Sequence, residues 1–373
     1  MAGPAPRATS SPSRREGIRT VLPGQSPDGV HILAVLVKRS YRIIPGGPCT
    51  RAQDDCPLVS GDEFWEDPMT SSVRHESDLV PFKLATDVVL NGTAYAPGGR
   101  ASHTFHISLQ VGTRRKVIQV FGDRRASYAD GGPPVITEPS QIMSMELRYE
   151  RAYGGTDVYS DARTPYPYPR NPLGRGFVVA NTSNTLKDVA LPNLEDPSSP
   201  LSAVPLCLGE YGQWPSRPLP AGLGWFPKVW RPRAELAGIL PLDRPVEQEL
   251  RQAYAKLLTA DQRGPYLKHG LRDMDFRFFN GASEGLVFPF LQGGETITTE
   301  NLSRDGTVTF ELPTERPRVG LDIGDGILEP QIVMQTVMIR MEDQALDLVW
   351  RGAVAYRGPD WLPEMRKMEI LIE

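Results

Sequence analysis

The stretch His106-Ile107-Ser108-Leu109-Gln110-Val111, followed by Gly112-Thr113 and then Lys116-Val117-Ile118-Gln119-Val120-Phe121, decides the fold class. Ile107, Leu109 and Val111 recur at every second position, the period at which strand side chains return to one face. Gly112-Thr113 reads as a turn, and the second segment repeats the alternation, so the pair is a β-hairpin with one buried face. Working outward, the same period predicts strands over 32–44, 87–95, 141–152, 307–312, 331–341 and 346–354. Turn-rich connections such as Ala96-Pro97-Gly98-Gly99 and Ser303-Arg304-Asp305-Gly306 separate them.

Composition agrees with this pattern. The chain has 373 residues, of which 40% are hydrophobic and 23% charged, enough for an extensive core. At roughly 150 residues per domain the length allows two to three domains or one large all-β body. Glycine (35) and proline (36) together make roughly a fifth of the chain, which would cut the helices of a bundle short. One segment, 246–258, has helical character: Leu250, Tyr254, Leu257 and Leu258 share a face, Pro245 precedes it and Gly264-Pro265 stops the chain beyond it. The expected fold is therefore mainly β, an antiparallel β-sandwich-like body with long ordered loops and one α-helix near 246–258. The Pro/Ser/Ala-rich residues 1–29 read as a disordered tail, 30–313 as the β-rich domain and 314–373 as C-terminal strands packing on the main body.

Several function classes are disfavoured. Lys and Arg total 41 against 45 Asp and Glu, a net charge of −4, without the basic excess of nucleic-acid binders. The amino-terminal residues lack the apolar core of a secretory signal, and the early apolar run from Ile32 to Val37 is too short to cross a bilayer. A cytoplasmic protein with no membrane partner is expected. The three cysteines, Cys49, Cys56 and Cys207, do not form a disulfide scaffold, although Cys49 and Cys56 could bridge within their loop; their spacing is not that of a metal site.

The search for chemistry finds weak constellations. His103 and His106, three apart on a strand, would point to opposite faces and serve poorly as a metal pair. Asp273 and Asp275 share a face and could form a catalytic carboxylate pair of a hydrolase or carbohydrate-active enzyme, but Arg272 and Arg277 flank them and offer a salt-bridge explanation. No nucleophile elbow and no phosphate-cradling glycine loop is present. No catalytic residue, cofactor or metal is expected.

Arginines set among rings and glycines are more informative. They occur in Tyr149-Glu150-Arg151-Ala152-Tyr153-Gly154-Gly155, in Asn171-Pro172-Leu173-Gly174-Arg175-Gly176-Phe177 and in Asp275-Phe276-Arg277-Phe278-Phe279-Asn280. Charges so enclosed need carboxylates or carbonyls, and this predicts a polar network pinning loops to a β core. The alternative is a recognition surface, where Arg, Tyr and Trp are enriched. The alternating prolines around Tyr166 and Tyr168 would display both rings on a stiff backbone, and Trp225 and Trp230 lie in a similarly ring-rich run. Tyr166, Tyr168, Arg175, Trp225 and Trp230 are the candidate protein-contact residues, with burial in loop packing as the competing reading.

These motifs also carry a resemblance. Asp78-Leu79-Val80-Pro81-Phe82-Lys83, Ala94-Tyr95-Ala96-Pro97-Gly98-Gly99, Val120-Phe121-Gly122-Asp123-Arg124, the two arginine–glycine motifs above, Leu191-Pro192-Asn193-Leu194-Glu195, Trp230-Arg231-Pro232-Arg233 and Asp275-Phe276-Arg277-Phe278-Phe279-Asn280 follow one another in an order that resembles a family of type VI secretion effector adaptors. That family is encoded beside the secretion spike genes of Gram-negative bacteria. The likeness runs from Val30 to Pro313; the loop 48–65, with Cys49 and Cys56, is distinctive to this chain. The resemblance implies a non-enzymatic adaptor or chaperone that holds a secreted effector, often one with a PAAR tip domain, and loads it on the trimeric valine–glycine-repeat spike (VgrG). It supplies no catalytic residues. Strand addition at an exposed sheet edge is one expected mode of binding. A component of the injection apparatus itself is a third reading.

Overall fold

The β-period of the sequence is realised in two stacked sheets. A computed structural model describes residues 18–128, 133–160, 165–180, 186–237, 274–322, 326–356 and 369–372. The principal strands are β1 (Ile18–Gln25), β2 (His31–Arg42), β3 (Thr86–Asn91), β4 (Thr104–Val111), β5 (Arg114–Phe121), β6 (Leu194–Glu195), β7 (Val287–Phe288), β8 (Thr296–Glu300), β9 (Thr307–Glu311), β10 (Ile332–Arg340) and β11 (Ala345–Ala355). The seven-stranded sheet runs β1-β2-β11-β10-β3-β7, with Thr50–Arg51 pairing the far end of β2. The five-stranded sheet runs β6-β5-β4-β8-β9. The fold is mainly β with antiparallel sheets, and no sheet closes into a barrel. One pair in the larger sheet, β3 with β10, is parallel; between them the chain forms β4, β5, β6, β8 and β9 of the five-stranded sheet and the short β7 that edges β3.

A single apolar cluster joins the inner faces. Leu33, Val35 and Val37 of β2, Leu346, Leu348 and Trp350 of β11, and Val337 and Ile339 of β10 meet Phe105, Ile107 and Leu109 of β4, Ile118 and Val120 of β5, and Phe310 of β9. The hairpin that set the expectation is present, with Ile107 opposite Ile118 and Phe105 opposite Val120.

The larger sheet is buried on its other face too. In β2 every residue from Ile32 to Tyr41 is buried, so the even-numbered positions are covered as well as the odd ones. The segment 56–83 lies across this outer face, and polar groups join the two. Lys38 Nζ meets Asp78 at 2.8 Å, Ser40 Oγ donates to Asp347 at 2.5 Å and accepts from the Cys56 amide, and Gln335 lies near the Val80 carbonyl. Toward the β7 edge Lys83 Nζ binds Asp87 at 2.7 Å and Thr336 Oγ1 at 3.1 Å. Asp87, fully buried, also accepts from Asn280 Nδ2 and from the amides of Gly281 and Ala282. Burying these charges is tolerable because each is paired and hydrogen-bonded.

Three expectations change. The tail does not extend to residue 29: β1 pairs with β2 along its whole length, Ile18 opposite Lys38 and Gln25 opposite His31. Its Val21 and Leu22 satisfy the strand pattern that the surrounding Pro and Gly conceal. Residue 313 is not a structural boundary, since β10 and β11 lie inside the seven-stranded sheet between β2 and β3. The segment 141–152 is not one strand; a short strand, Ser144–Glu146, is followed by a 3₁₀ turn, Tyr149–Arg151. The helix expected near 246–258 lies outside the described residues.

Because Lys83 is sealed with Asp87, replacing it strands a buried carboxylate. Lys83→Met should lower unfolding free energy by about 3–5 kcal/mol, measured by equilibrium denaturation.

Candidate partner-binding groove

The arginine–glycine motifs meet one another. Asn171, fully buried, donates from Nδ2 to the carbonyls of Tyr149 (2.8 Å) and Tyr153 (3.1 Å), tying the second motif to the first. The two run parallel at Tyr153-Gly154 and Arg175-Gly176. Gly154 has φ +148°, and a β-carbon there would lie 2.2 Å from the Asn171 carbonyl oxygen, so only glycine allows this approach. Glu150 accepts from the amide (2.6 Å) and hydroxyl (2.8 Å) of Ser72. Asp123 lies 3.6 Å from Arg151 and 3.4 Å from Arg175 and accepts from Asn193 Nδ2 at 3.0 Å, so four motifs converge on one carboxylate. Arg124 pairs with Glu195 and stacks on the Phe121 ring.

Most of the candidate contact rings are internal. Tyr168 is fully buried between Tyr153 and Phe177, and its hydroxyl donates to the Pro218 carbonyl at 2.8 Å. Trp230 packs edge-on against Tyr149 and Phe226, and Trp225 lies under the Lys83 ammonium. Tyr168, Trp225 and Trp230 therefore have no surface to present to a partner; core packing is what the geometry provides, Trp225 and Trp230 joining the main apolar cluster and Tyr168 a second one built by the loops. Tyr166 is half-buried against Tyr211, and Arg175 is half-buried beside Asp123.

Asp275 caps the 3₁₀ turn Phe276–Phe279 by accepting from the Arg277 amide and also binds the Arg277 guanidinium at 2.8 Å. That hydrogen bonding holds its carboxyl below the usual range, the wrong direction for a general acid. Asp273 lies outside the described residues. His103 Nδ1 meets the Pro139 carbonyl, and His106 points outward from β4. Among the described residues no cluster of His, Cys, Asp and Glu has the arrangement of a metal site. All three cysteines are thiols; burial pushes Cys49 up to about 11, so that thiol stays protonated.

The open cavity of interest lies at the sheet rim, where sequence reading placed no site. Strand alternation carries the inner face of β5 from Val120 and Ile118 to Lys116 and Arg114, opposite Leu109 and Val111. Past the end of the core these cations reach across to the other sheet. Arg114 Nη1 donates to the Val287 carbonyl at 2.8 Å with its guanidinium over the Phe288 ring, and Lys116 Nζ donates to Ser283 Oγ (2.6 Å) and the Glu284 carbonyl (2.5 Å). Beside them opens a groove of about 680 Å³, walled by 114–117, 196–199, 216–219 and 284–285. Asp196 shapes one wall by accepting from the Ser198 amide and hydroxyl. The opposite wall is held from below by Tyr168 on Pro218 and by Arg170 on the Arg217 carbonyl at 2.7 Å. A second hollow of about 220 Å³, lined by Leu219, Pro220, Phe226, Pro232 and Leu236 among others, meets the groove at Leu219 and Glu284.

This arrangement defines a class: a mainly-β protein whose motif charges and rings brace long loops, leaving a basic, loop-walled groove at one rim. Residues 28–351 match the family of uncharacterized proteins conserved in bacteria, DUF2169, and the chain belongs to that family. No curated protein and no solved structure shows significant similarity to it. No helix among the described residues is long and apolar enough to cross a membrane.

Two outcomes follow. Tyr168→Ala should lower unfolding free energy by about 3–5 kcal/mol, seen as a shifted denaturant midpoint, whereas an exposed ring would shift it little. Desolvation pushes the Lys116 ammonium down to about 8 from 10.5, against the attraction of Glu284 and Asp196. Between those values the unfolded chain binds the extra proton, so stability relative to Lys116→Met should rise with pH from about 8 to 10.5 and stay flat below; denaturation at successive pH values measures it.

Proposed function

We propose that this bacterial protein is a non-enzymatic adaptor or chaperone of type VI secretion. In the cytoplasm it binds a secreted effector, one carrying a PAAR tip domain, and delivers it to the VgrG spike. The observation that carries this reading is the rim groove: an open trough with charged walls beside an apolar hollow, the form of a seat for a length of polypeptide. The motif residues support it in a second way, since they spend their hydrogen-bonding capacity on holding the groove walls and loops in place.

Binding stabilises the partner by mass action, favouring the folded, loadable state over aggregation. The edge strand β1, paired on one side to β2, is a further place where a segment can add by backbone hydrogen bonds.

Co-expression with the effector encoded beside the gene should raise that effector's soluble yield several-fold and give a co-purifying complex. Unchanged yield with no complex would contradict the reading.

A further inference from the structure

Four cations line the groove: Arg114, Arg115, Lys116 and Arg217. Arg115 is paired with Glu300. The hydrogen bonds of the other three run to neutral oxygens: Arg114 to the Val287 carbonyl, Lys116 to a hydroxyl and a carbonyl, and Arg217 to the Pro205 carbonyl. Among the described residues no carboxylate lies within ion-pair distance of these three. An ammonium has three donors, and Lys116 spends two on the rim. Lys116 is half-buried with no counter-charge at ion-pair distance and Arg114 stands exposed beside it, so a carboxylate arriving in the groove would pair with both. Two carboxylates, Asp196 and Glu284, stand among the cations. They would repel the continuous charge of a phosphate backbone, whereas the spaced carboxylates of a peptide can avoid them. The adjoining hollow, walled by Leu219, Phe226, Pro232 and Leu236, takes an apolar side chain.

We propose that the groove seats an acidic segment of a partner polypeptide, its carboxylates at Arg114 and Lys116 and a neighbouring apolar side chain in the hollow beside Leu219. This deepens the adaptor reading and rests on it.

The test uses the full chain and a fluorescent synthetic dodecapeptide alternating Glu with Leu. Its controls are the same peptide with Lys for Glu, the same peptide with Ser for Leu, and a single-stranded oligothymidine. The Glu/Leu peptide should bind, more weakly at high salt. Arg114→Glu, on an exposed side chain, should weaken it at least about tenfold, and Asp196→Lys should tighten it. The Glu/Ser peptide should bind less well. Equal or better binding of the Lys peptide or the oligonucleotide, no binding of the Glu/Leu peptide, or indifference to both variants would overturn the proposal; unfolding midpoints of the variants verify that they are folded. Co-purification of the effector separates this proposal from its parent. An effector retained equally by Arg114→Glu leaves the adaptor standing and removes the groove as its seat. A peptide-binding groove in a chain that retains no effector keeps the groove and removes the adaptor.

Discussion

The carboxylate of Asp87 is the point on which the structure turns. It lies on β3, between β10 and the short edge strand β7, on the outer face of the larger sheet, with no exposure to solvent. It is held by Lys83 from the covering segment and by Asn280, Gly281 and Ala282 from the segment that leads into β7. An unpaired buried charge is expensive, so this carboxylate forces both segments into fixed places against the sheet. The rim depends on that placement, because Ser283 and Glu284, which receive Lys116, follow directly in the chain.

From this carboxylate the polar contacts run outward. Lys38 with Asp78 and Ser40 with the Cys56 amide fasten the cover to β2, and Arg233, buried against Glu76 with two bonds of 2.8 and 3.0 Å, fastens the Trp230–Arg233 turn. The aromatic rings fill what the charges frame: Tyr149, Phe226 and Trp230 pack mutually edge-on at 5.6–5.7 Å. Such pairs add specificity of angle to the area they bury. The result is a loop layer tied down by buried polar bonds and ring packing, a suitable scaffold for a recognition groove.

The fold was legible where one physical signal dominated. Alternation at Ile107, Leu109 and Val111 and the unbroken apolar run of β2 gave strands close to their observed ends, and Arg151 and Arg175 gave part of the bracing network, whereas Arg277 is exposed and pairs with its neighbour Asp275. Strand β1 was hidden because its Pro23 and Gly24 read as tail, and its pairing comes from β2, a tertiary effect no local pattern contains. The central position of β10 and β11 was likewise hidden, since sheet order is set by long-range pairing. Tyr168, Trp225 and Trp230 were misplaced because composition cannot tell a displayed ring from a packed one. The rim groove was missed although part of its signal was present: Lys116 shares the parity of Ile118 and Val120, and a cation on the core face of a strand marks a place where the core ends.

The central claim is that the motif rings and arginines are internal braces and that recognition occurs at the rim. Hydrogen exchange read by mass spectrometry, with and without the co-expressed effector, tests it most directly. The account predicts new protection in the peptides covering 114–117, 196–199, 216–219 and 284–285, with the internally hydrogen-bonded amides of Tyr168 and Trp230 unchanged. Protection confined to the motif loops, with the rim exchanging as before, would contradict it.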